Sequence, residues 1–238
     1  MKVSNPNLFY ELVQGLFHLF LPRLCEGCRK PLLYQEAVLC MACNLELPRT
    51  DFQDVHGNEA AIRIAGRIPF EWSTAFAYFS PDGILQYLLH RLKYQGKKEI
   101  GLFLGRQFGY MLRSSDWIQN VDALVPVPLH PDKLALRGYN QASLIATGLS
   151  EIVGIPVRED LLRRCRKTES QTRKSREERV LNVQDAFQLC DPATPNPGHV
   201  ILLDDVLTTG ATLEAAALEL LKIEGIRISI LCLGLASQ

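Results

Sequence analysis

Short apolar runs alternate along this chain with longer stretches of helical period. Glu71 to Phe79, carrying Trp72, Ala75, Phe76, Tyr78 and Phe79, reads as a strand, and Pro81-Asp82-Gly83 after it as a turn. Ile84, Leu85, Leu88, Leu89 and Leu92 then recur at helical spacing and end on His90, Arg91 and Lys93, which predicts a helix from Ile84 to Tyr94. A second helix is expected from Lys98 to Arg113. Val121 to Pro128 reads as a buried strand, followed by a loop from Leu129 to Arg137 and a helix from about Asn140 to Val153 that stops at Gly154. Ile155 to Val157, Val200 to Leu203 and Ile228 to Leu235 supply further strands, with a helix from Ala211 to Glu224 between the last two. Strands alternating with helices predict an α/β fold, a parallel sheet covered on both faces. Pro48 to Gly66 shows no period and is expected to be a linker or an irregular loop.

The chain has 238 residues, room for one large α/β domain or a medium domain plus a small module, and 47% hydrophobic residues suffice for a core. Lys+Arg and Asp+Glu both number 26, so bulk charge names no partner and any nucleic-acid contact must come from a local patch. Leu8 to Leu21 is apolar but interrupted by Glu11, Gln14 and His18. It is shorter than the roughly 20 residues a membrane span needs. Only Lys2 precedes it and Pro22-Arg23-Leu24-Cys25 follows, which is not a signal peptide's layout. The expectation is a cytoplasmic chain with no transmembrane segment, whose first helix is amphipathic and packs against the rest. Peripheral membrane contact through Phe9, Phe17 and Phe20 stays open as the alternative use of that helix.

Composition changes the picture most at the cysteines. Cys25-x2-Cys28 and Cys40-x2-Cys43 look like the two knuckles of a zinc ribbon, which together would offer four thiolates to one ion and leave no open position. Such a closed shell implies a structural Zn2+, not a catalytic one. Two disulfides or a thioredoxin-like pair are the rival reading, disfavoured by the missing signal peptide and by the absence of a βαβ pattern around either pair. Cys165, Cys190 and Cys232 have no partner spacing and read as core or semi-buried residues.

The densest chemistry lies in His199 to Thr212: an apolar run, Asp204 and Asp205, then Thr208-Thr209-Gly210-Ala211-Thr212 opening a helix. A turn at the carboxyl end of a parallel strand is where open α/β sheets bind ligands. The helix start and the hydroxyls suit a phosphate there. The acids stand where a ribose would place its hydroxyls. This run resembles the phosphoribosyl pyrophosphate (PRPP) signature of type I phosphoribosyltransferases, and each position of that signature is filled.

Two more segments carry candidate chemistry. Val125 to Gln141 puts Lys133, Arg137, Asn140 and Gln141 around another strand-to-helix turn, and Arg can fork two N–H groups onto pyrophosphate oxygens. Arg163 to Arg179 holds eight Lys or Arg against three Glu and almost no apolar residue, so an exposed loop is expected. Such a loop can close over a polyphosphate, lie along a nucleic-acid backbone or simply be solvated; the run does not separate these uses.

Taken in order, the four-cysteine ribbon, Leu92-Lys93-Tyr94-Gln95-Gly96, Val125-Pro126-Val127-Pro128 with Arg137-Gly138-Tyr139-Asn140-Gln141, Gln171-Thr172 through Arg176, Arg179 and Asn182, and the Asp-Asp-Thr-Thr turn resemble the ComF family from about Leu21 to the C-terminus. The resemblance implies a zinc ribbon fused to a type I phosphoribosyltransferase-like parallel sheet flanked by helices. The division expected is 1–50 for the first helix and ribbon and 51–238 for the large domain, with 51–98 as a hood or linker. It further implies Asp204 and Asp205 on the ribose hydroxyls, Thr208, Thr209, Gly210, Ala211 and Thr212 on the 5′-phosphate, and Arg137, Gly138, Tyr139, Asn140 and Gln141 as the pyrophosphate loop. Gln171 to Arg179 would be the flexible loop, and Mg2+ would bridge ligand oxygens. Family members are tied to natural transformation and the use of external DNA. The expected function is therefore a PRPP-binding protein of DNA uptake, handling single-stranded DNA beside uptake proteins, with Lys93, Lys97 and Lys98 as contacts and Tyr94 and Tyr139 as stacking platforms. The alternative is a phosphoribosyltransferase moving phosphoribose from Mg-PRPP to an acceptor. Its leaving group would be stabilised by Arg137, by Arg173, Lys174 or Arg176, and by the metal. No constellation in Pro48 to Gly96 names the acceptor base.

Overall fold

The structure, a computed structural model, describes residues 22–165, 186–190 and 198–237. The helix expected over Leu8 to Leu21 and the loop residues Gln171, Arg173, Lys174 and Arg176 lie outside the described residues. By contacts the chain divides into two units, Met1–Leu47 and Pro48–Gln238.

The larger unit is built on a parallel four-stranded sheet. Its strands are β1 (Ser73–Phe79), β2 (Ala123–Pro126), β5 (His199–Leu207) and β6 (Arg227–Ala236), in the order β1-β6-β5-β2. A second, antiparallel pair joins β3 (Leu162–Arg164) to β4 (Phe187–Leu189). Each edge of the main sheet carries a single further bridge. Arg49 pairs antiparallel with Ala77 of β1, and Val157 pairs parallel with Leu124 of β2.

The apolar runs that mark β5 and β6 are buried on both faces, as parallel strands require. On one face Val200, Leu202, Ile228, Ile230 and Val125 pack with the Ala211–Leu220 helix and with Leu162 and Phe187 of the small sheet. Alternation turns Ile201, Leu203, Leu231 and Leu124 to the other face, toward the helices Ile84–Tyr94, Lys98–Leu112 and Gln141–Val153. Two of those helices touch backbone to backbone. A Cβ on Gly105 would stand 2.1 Å from the carbonyl oxygen of Ile145, and one on Gly148 would stand 2.1 Å from that of Leu102.

The strands and long helices fall largely where the apolar pattern puts them, with corrections. Ile155 to Val157, expected as a strand, is reduced to the single bridge of Val157 to Leu124, too short a run beside the edge strand to form a ladder. β5 runs on to Leu207 because its pairing with β6 continues through Asp204–Cys232, Val206–Gly234 and Leu207–Leu235. The acids therefore lie inside the strand, not beyond it. Pro131–Arg137, expected as loop, is a helix started by a proline in its first turn and capped by His130 Nδ1, which accepts from the Asp132 amide at 3.2 Å. Glu59–Ile64, inside the stretch expected to be irregular, is a helix whose Asn58 side chain caps the amides of Ala60 and Ala61. Arg163 and Arg164, assigned to the basic loop, belong to β3. In addition, the helix after the Thr turn ends at Leu220, short of Glu224.

Gly105→Ala or Gly148→Ala should cost at least about 1–3 kcal/mol, because a methyl at either position has only backbone to push against. That corresponds to a fall in the thermal midpoint of about 2–4 °C per kcal/mol for a domain of this size. An unchanged midpoint would mean the two helices are not in backbone contact.

Candidate functional site

The carboxyl ends of β2 and β5 open between the turn after β5 and the segment between β2 and the Gln141–Val153 helix. Because side chains alternate along a strand, Asp204 and Asp205 leave β5 on opposite faces. Asp205 meets the Lys93 ammonium at 2.7 Å, with both side chains largely buried. Asp204 accepts from the Asp205 amide at 2.8 Å and lies across from Cys232 in β6. Burial, and then the negative charge of Asp205, push the Asp204 carboxyl up to about 7, while Lys93 and Arg164 pull the other way. The Cys232 thiol is raised for the same reasons, burial first and the two acids after it. The pair is thus asymmetric: one carboxylate is tied to a lysine, and its neighbour holds a proton up to near neutrality.

Past Leu207, Thr208 and Thr209 are exposed, and Gly210 adopts φ 81 at the start of the Ala211–Leu220 helix. A side chain at Gly210 would be strained by that φ and would meet Ile64 Cδ1 at 2.8 Å, so the tight turn requires glycine. Thr209 Oγ1 accepts from the Ala211 amide at 3.5 Å. The first amides of the helix have no partner within it and face the turn. Arg63 closes the ends of two strands, donating to the carbonyls of Ala236 at 2.6 Å and Leu207 at 3.4 Å.

Arg137 to Gln141 comes to the same end of the sheet, but its side chains are mostly committed to protein. Gly138, at φ 76, ends the Pro131–Arg137 helix. Buried Tyr139 donates its hydroxyl to the Leu92 carbonyl and carries Lys98 5.0 Å from its ring centre. Asn140 donates to the Val127 carbonyl at 3.0 Å and caps the next helix through Ala142. Arg137 donates to Gln141 Oε1 at 2.9 Å and lies 5.2 Å from the centre of the Tyr94 ring. Buried Gln141 keeps its amide nitrogen without a partner. Tyr139 is therefore a tether and not a stacking platform, whereas Tyr94 is 65% exposed.

Two residues of the site escaped the sequence reading. Lys93 was nominated only for DNA, and its signal was the Leu92-Lys93-Tyr94-Gln95-Gly96 segment. Arg164, whose charge bears on Asp204 and whose guanidinium lies 5.1 Å from the Phe187 ring centre, had none beyond its place in a basic run.

In the small unit, Cys25, Cys28, Cys40 and Cys43 place their sulfurs within 4.8 Å of one another, with Cys28 and Cys40 at 3.7 Å. The first knuckle closes through the Cys25 amide to the Lys30 carbonyl, and the second sits at the start of the short Met41–Leu45 helix. Burial raises the Cys25 thiol, but backbone hydrogen bonds at Cys40, Cys28 and Gly27 more than offset this and bring it to about 7. Burial and the three neighbouring sulfurs push Cys43 up.

Competence protein ComFC of Bacillus subtilis (strain 168) is 32% identical over 210 residues, covering 84% of this chain and 78% of that protein. The chain belongs to the ComF family. DNA utilization protein YhgH of Salmonella typhimurium (strain LT2) is 29% identical to this ComF-family chain over 226 residues, 90% of it and 98% of the relative. Competence protein F of Haemophilus influenzae (strain Rd) is 28% identical over 216 residues, covering 84% and 85%. No protein-family model matches the chain. A solved adenine phosphoribosyltransferase from Leishmania tarentolae superposes with a TM-score of 0.37 at 12% identity, over 75% of the ComF-family chain and 88% of its own. A likeness that distant bears on neither chemistry nor substrate. Among the described residues, no helix is long and apolar enough to cross a membrane.

Asp204 sets a pH dependence on folding. Its proton is held more tightly folded than unfolded, where a carboxyl titrates near 4, so its contribution is fully present below about pH 4 and is lost as pH rises toward 7. Asp204→Asn should therefore be more stable than the native chain at pH 8, by roughly 2–4 kcal/mol, with the difference vanishing near pH 4. Denaturant midpoints at the two pH values test this, and a pH-independent difference would contradict it.

Proposed function

We propose that this protein binds Mg-PRPP, or a related phosphoribosyl ligand, at the carboxyl ends of β2 and β5, and that it serves the uptake and use of external DNA. The observation that carries the ligand is the acid pair on β5 followed within a few residues by a hydroxyl-rich turn into a helix start. In this reading Asp204 and Asp205 accept from the ribose hydroxyls, and the amides and hydroxyls of Thr208 to Thr212 hold the 5′-phosphate. Arg137 serves the pyrophosphate side. Arg173, Lys174 and Arg176 keep their proposed role over the pyrophosphate, though they lie outside the described residues. A divalent ion carried by the ligand would neutralise pyrophosphate charge, and two carboxylates beside the site fit the oxygen donors Mg2+ takes. The DNA role is supported by relatives named for competence and DNA utilization. Exposed Tyr94, with Lys97 and Lys98 after it, supports single-stranded DNA as a contact at the rim, whereas Lys93 is committed to Asp205 and withdrawn from that role.

A transfer reaction is the second reading, favoured by the Asp204 carboxyl, whose ionised form near neutral pH can take a proton. The bond from the ribose anomeric carbon to pyrophosphate would break, pyrophosphate would leave with the electron pair, and a bond to the acceptor would form as the acceptor's proton passes to a carboxylate. Asp204, titrating near 7, is matched to take that proton.

The four thiols fit a structural zinc: Zn–S bonds of about 2.3 Å imply sulfurs about 3.8 Å apart in a tetrahedron, close to the observed Cys28–Cys40 spacing. Free thiols at this density suit a reducing compartment such as the cytosol.

Calorimetric titration of Mg-PRPP into the zinc-loaded protein should give a saturable heat that Asp204→Asn/Asp205→Asn loses. No binding to the folded native chain would overturn the ligand assignment. The purified protein should also carry one zinc per chain, and its removal by a chelator should unfold the ribbon. Protein isolated without zinc and with paired cysteines would refute the metal assignment.

A further inference from the structure

The stretch from Pro48 that carries no period in the sequence places its helix, Glu59–Ile64, against the turn after β5. The β5–β6 register ends at Leu207–Leu235, so the ladder does not fix the direction in which the chain leaves the sheet at Thr208. The helix and the residues after it make up for this. Arg63, half-buried, donates to the Leu207 carbonyl at 3.4 Å and to the Ala236 carbonyl at 2.6 Å. Ile64 packs where Gly210 turns, its Cδ1 2.8 Å from the place a Cβ on that glycine would take. Arg67 meets Glu214, in the first turn of the Ala211–Leu220 helix, at 3.2 Å. Residues 63, 64 and 67 thus meet 207, 210 and 214, before, within and after the turn.

The segment is itself anchored. Ala60, Ile64 and Ile68 sit in the same apolar core as Leu207 and Leu213, which flank the turn. Asn58, the cap of the helix, donates to the Ser73 carbonyl at 2.7 Å and so ties it to the start of β1. Amides and hydroxyls hold an anion well when they are aimed before it arrives, and a small misplacement of such donors is expensive. A guanidinium at the Leu207 carbonyl also sets a positive charge beside the place proposed for the 5′-phosphate.

We propose that Arg63 is a positioning residue for the Thr208–Thr212 turn, with Arg67 as its second hold, and that the Glu59–Ile64 helix is a brace keeping the turn aimed at the phosphate of a sugar phosphate. The identity of the anion rests on the phosphoribosyl reading. The brace adds that affinity for the sugar-phosphate end of the ligand is set from outside the turn, separately from the pyrophosphate end at Arg137–Gln141.

Calorimetric titrations of ribose 5-phosphate and of magnesium pyrophosphate into the zinc-loaded full chain read the two ends separately. Arg63→Met should weaken ribose 5-phosphate about tenfold, the worth of one charged hydrogen bond, and leave magnesium pyrophosphate unchanged. Arg63→Lys, which can still reach one carbonyl, should recover most of the loss. In the ligand-free protein, hydrogen exchange of Arg63→Met should quicken over 208–212 and not in the Lys98–Leu112 helix, whereas a merely structural role would quicken both and weaken both ligands alike. Should Arg63→Met not fold, Arg67→Ala, at an exposed position, carries the same test with a loss of about two- to fivefold. Equal losses for the two ligands, or undiminished ribose 5-phosphate affinity with unchanged exchange over 208–212, overturns the proposal. A native chain that binds neither ligand sinks the phosphoribosyl reading, and exchange alone then judges the brace: quickening confined to 208–212 upholds it, and unchanged exchange overturns it.

Discussion

The ion pair between Lys93 and Asp205 joins parts of the larger unit that are distant in sequence. Two adjacent carboxylates at the buried end of a parallel sheet repel each other and lose hydration, a cost that grows with burial. One lysine, supplied by the last turn of the Ile84–Tyr94 helix, neutralises one of them at 2.7 Å. The same turn offers the Leu92 carbonyl to the Tyr139 hydroxyl and the Tyr94 ring to Arg137. One helix end thus fixes both the acid pair and the Arg137–Gln141 segment.

Strand alternation divides the pair's surroundings. Asp205 looks toward the lysine helix, and Asp204 toward the face shared with Arg164 and the small antiparallel sheet. Asp204 is held with a raised proton affinity, by burial first and by the charge of Asp205 after it. A ligand approaching the end of β5 meets a fixed ion pair on one side and, on the other, a group able to give or take a proton near neutral pH.

Packing behind the site explains how it is kept in place. Glycines at the Lys98–Leu112 and Gln141–Val153 contact let two helices meet at backbone distance. The first of these follows Lys93 closely, and the second is capped by Asn140 from the Arg137–Gln141 motif. Rigid interdigitation of this kind transmits small displacements instead of absorbing them, so the motif and the lysine hold a common register.

The chain's local patterns by themselves determined the α/β class, the strands from β1 to β6 that carry strong apolar runs, the long helices, the four-cysteine cluster and the Asp-Asp-Thr-Thr turn. Each of these is written in contiguous residues whose period, caps or spacing is a property of the chain alone. Short helices such as Pro131–Arg137 and Glu59–Ile64 were illegible because too few residues set a period, and the three-residue strands β3 and β4 for the same reason. The length of β5 was decided by its pairing with β6, which carried the strand through two acids that local propensity would have ended it on. That Lys93 faces Asp205 and that Tyr139 is a tether and not a platform were decided only in tertiary structure. The partners are tens of residues apart in sequence, and only the folded sheet brings them together.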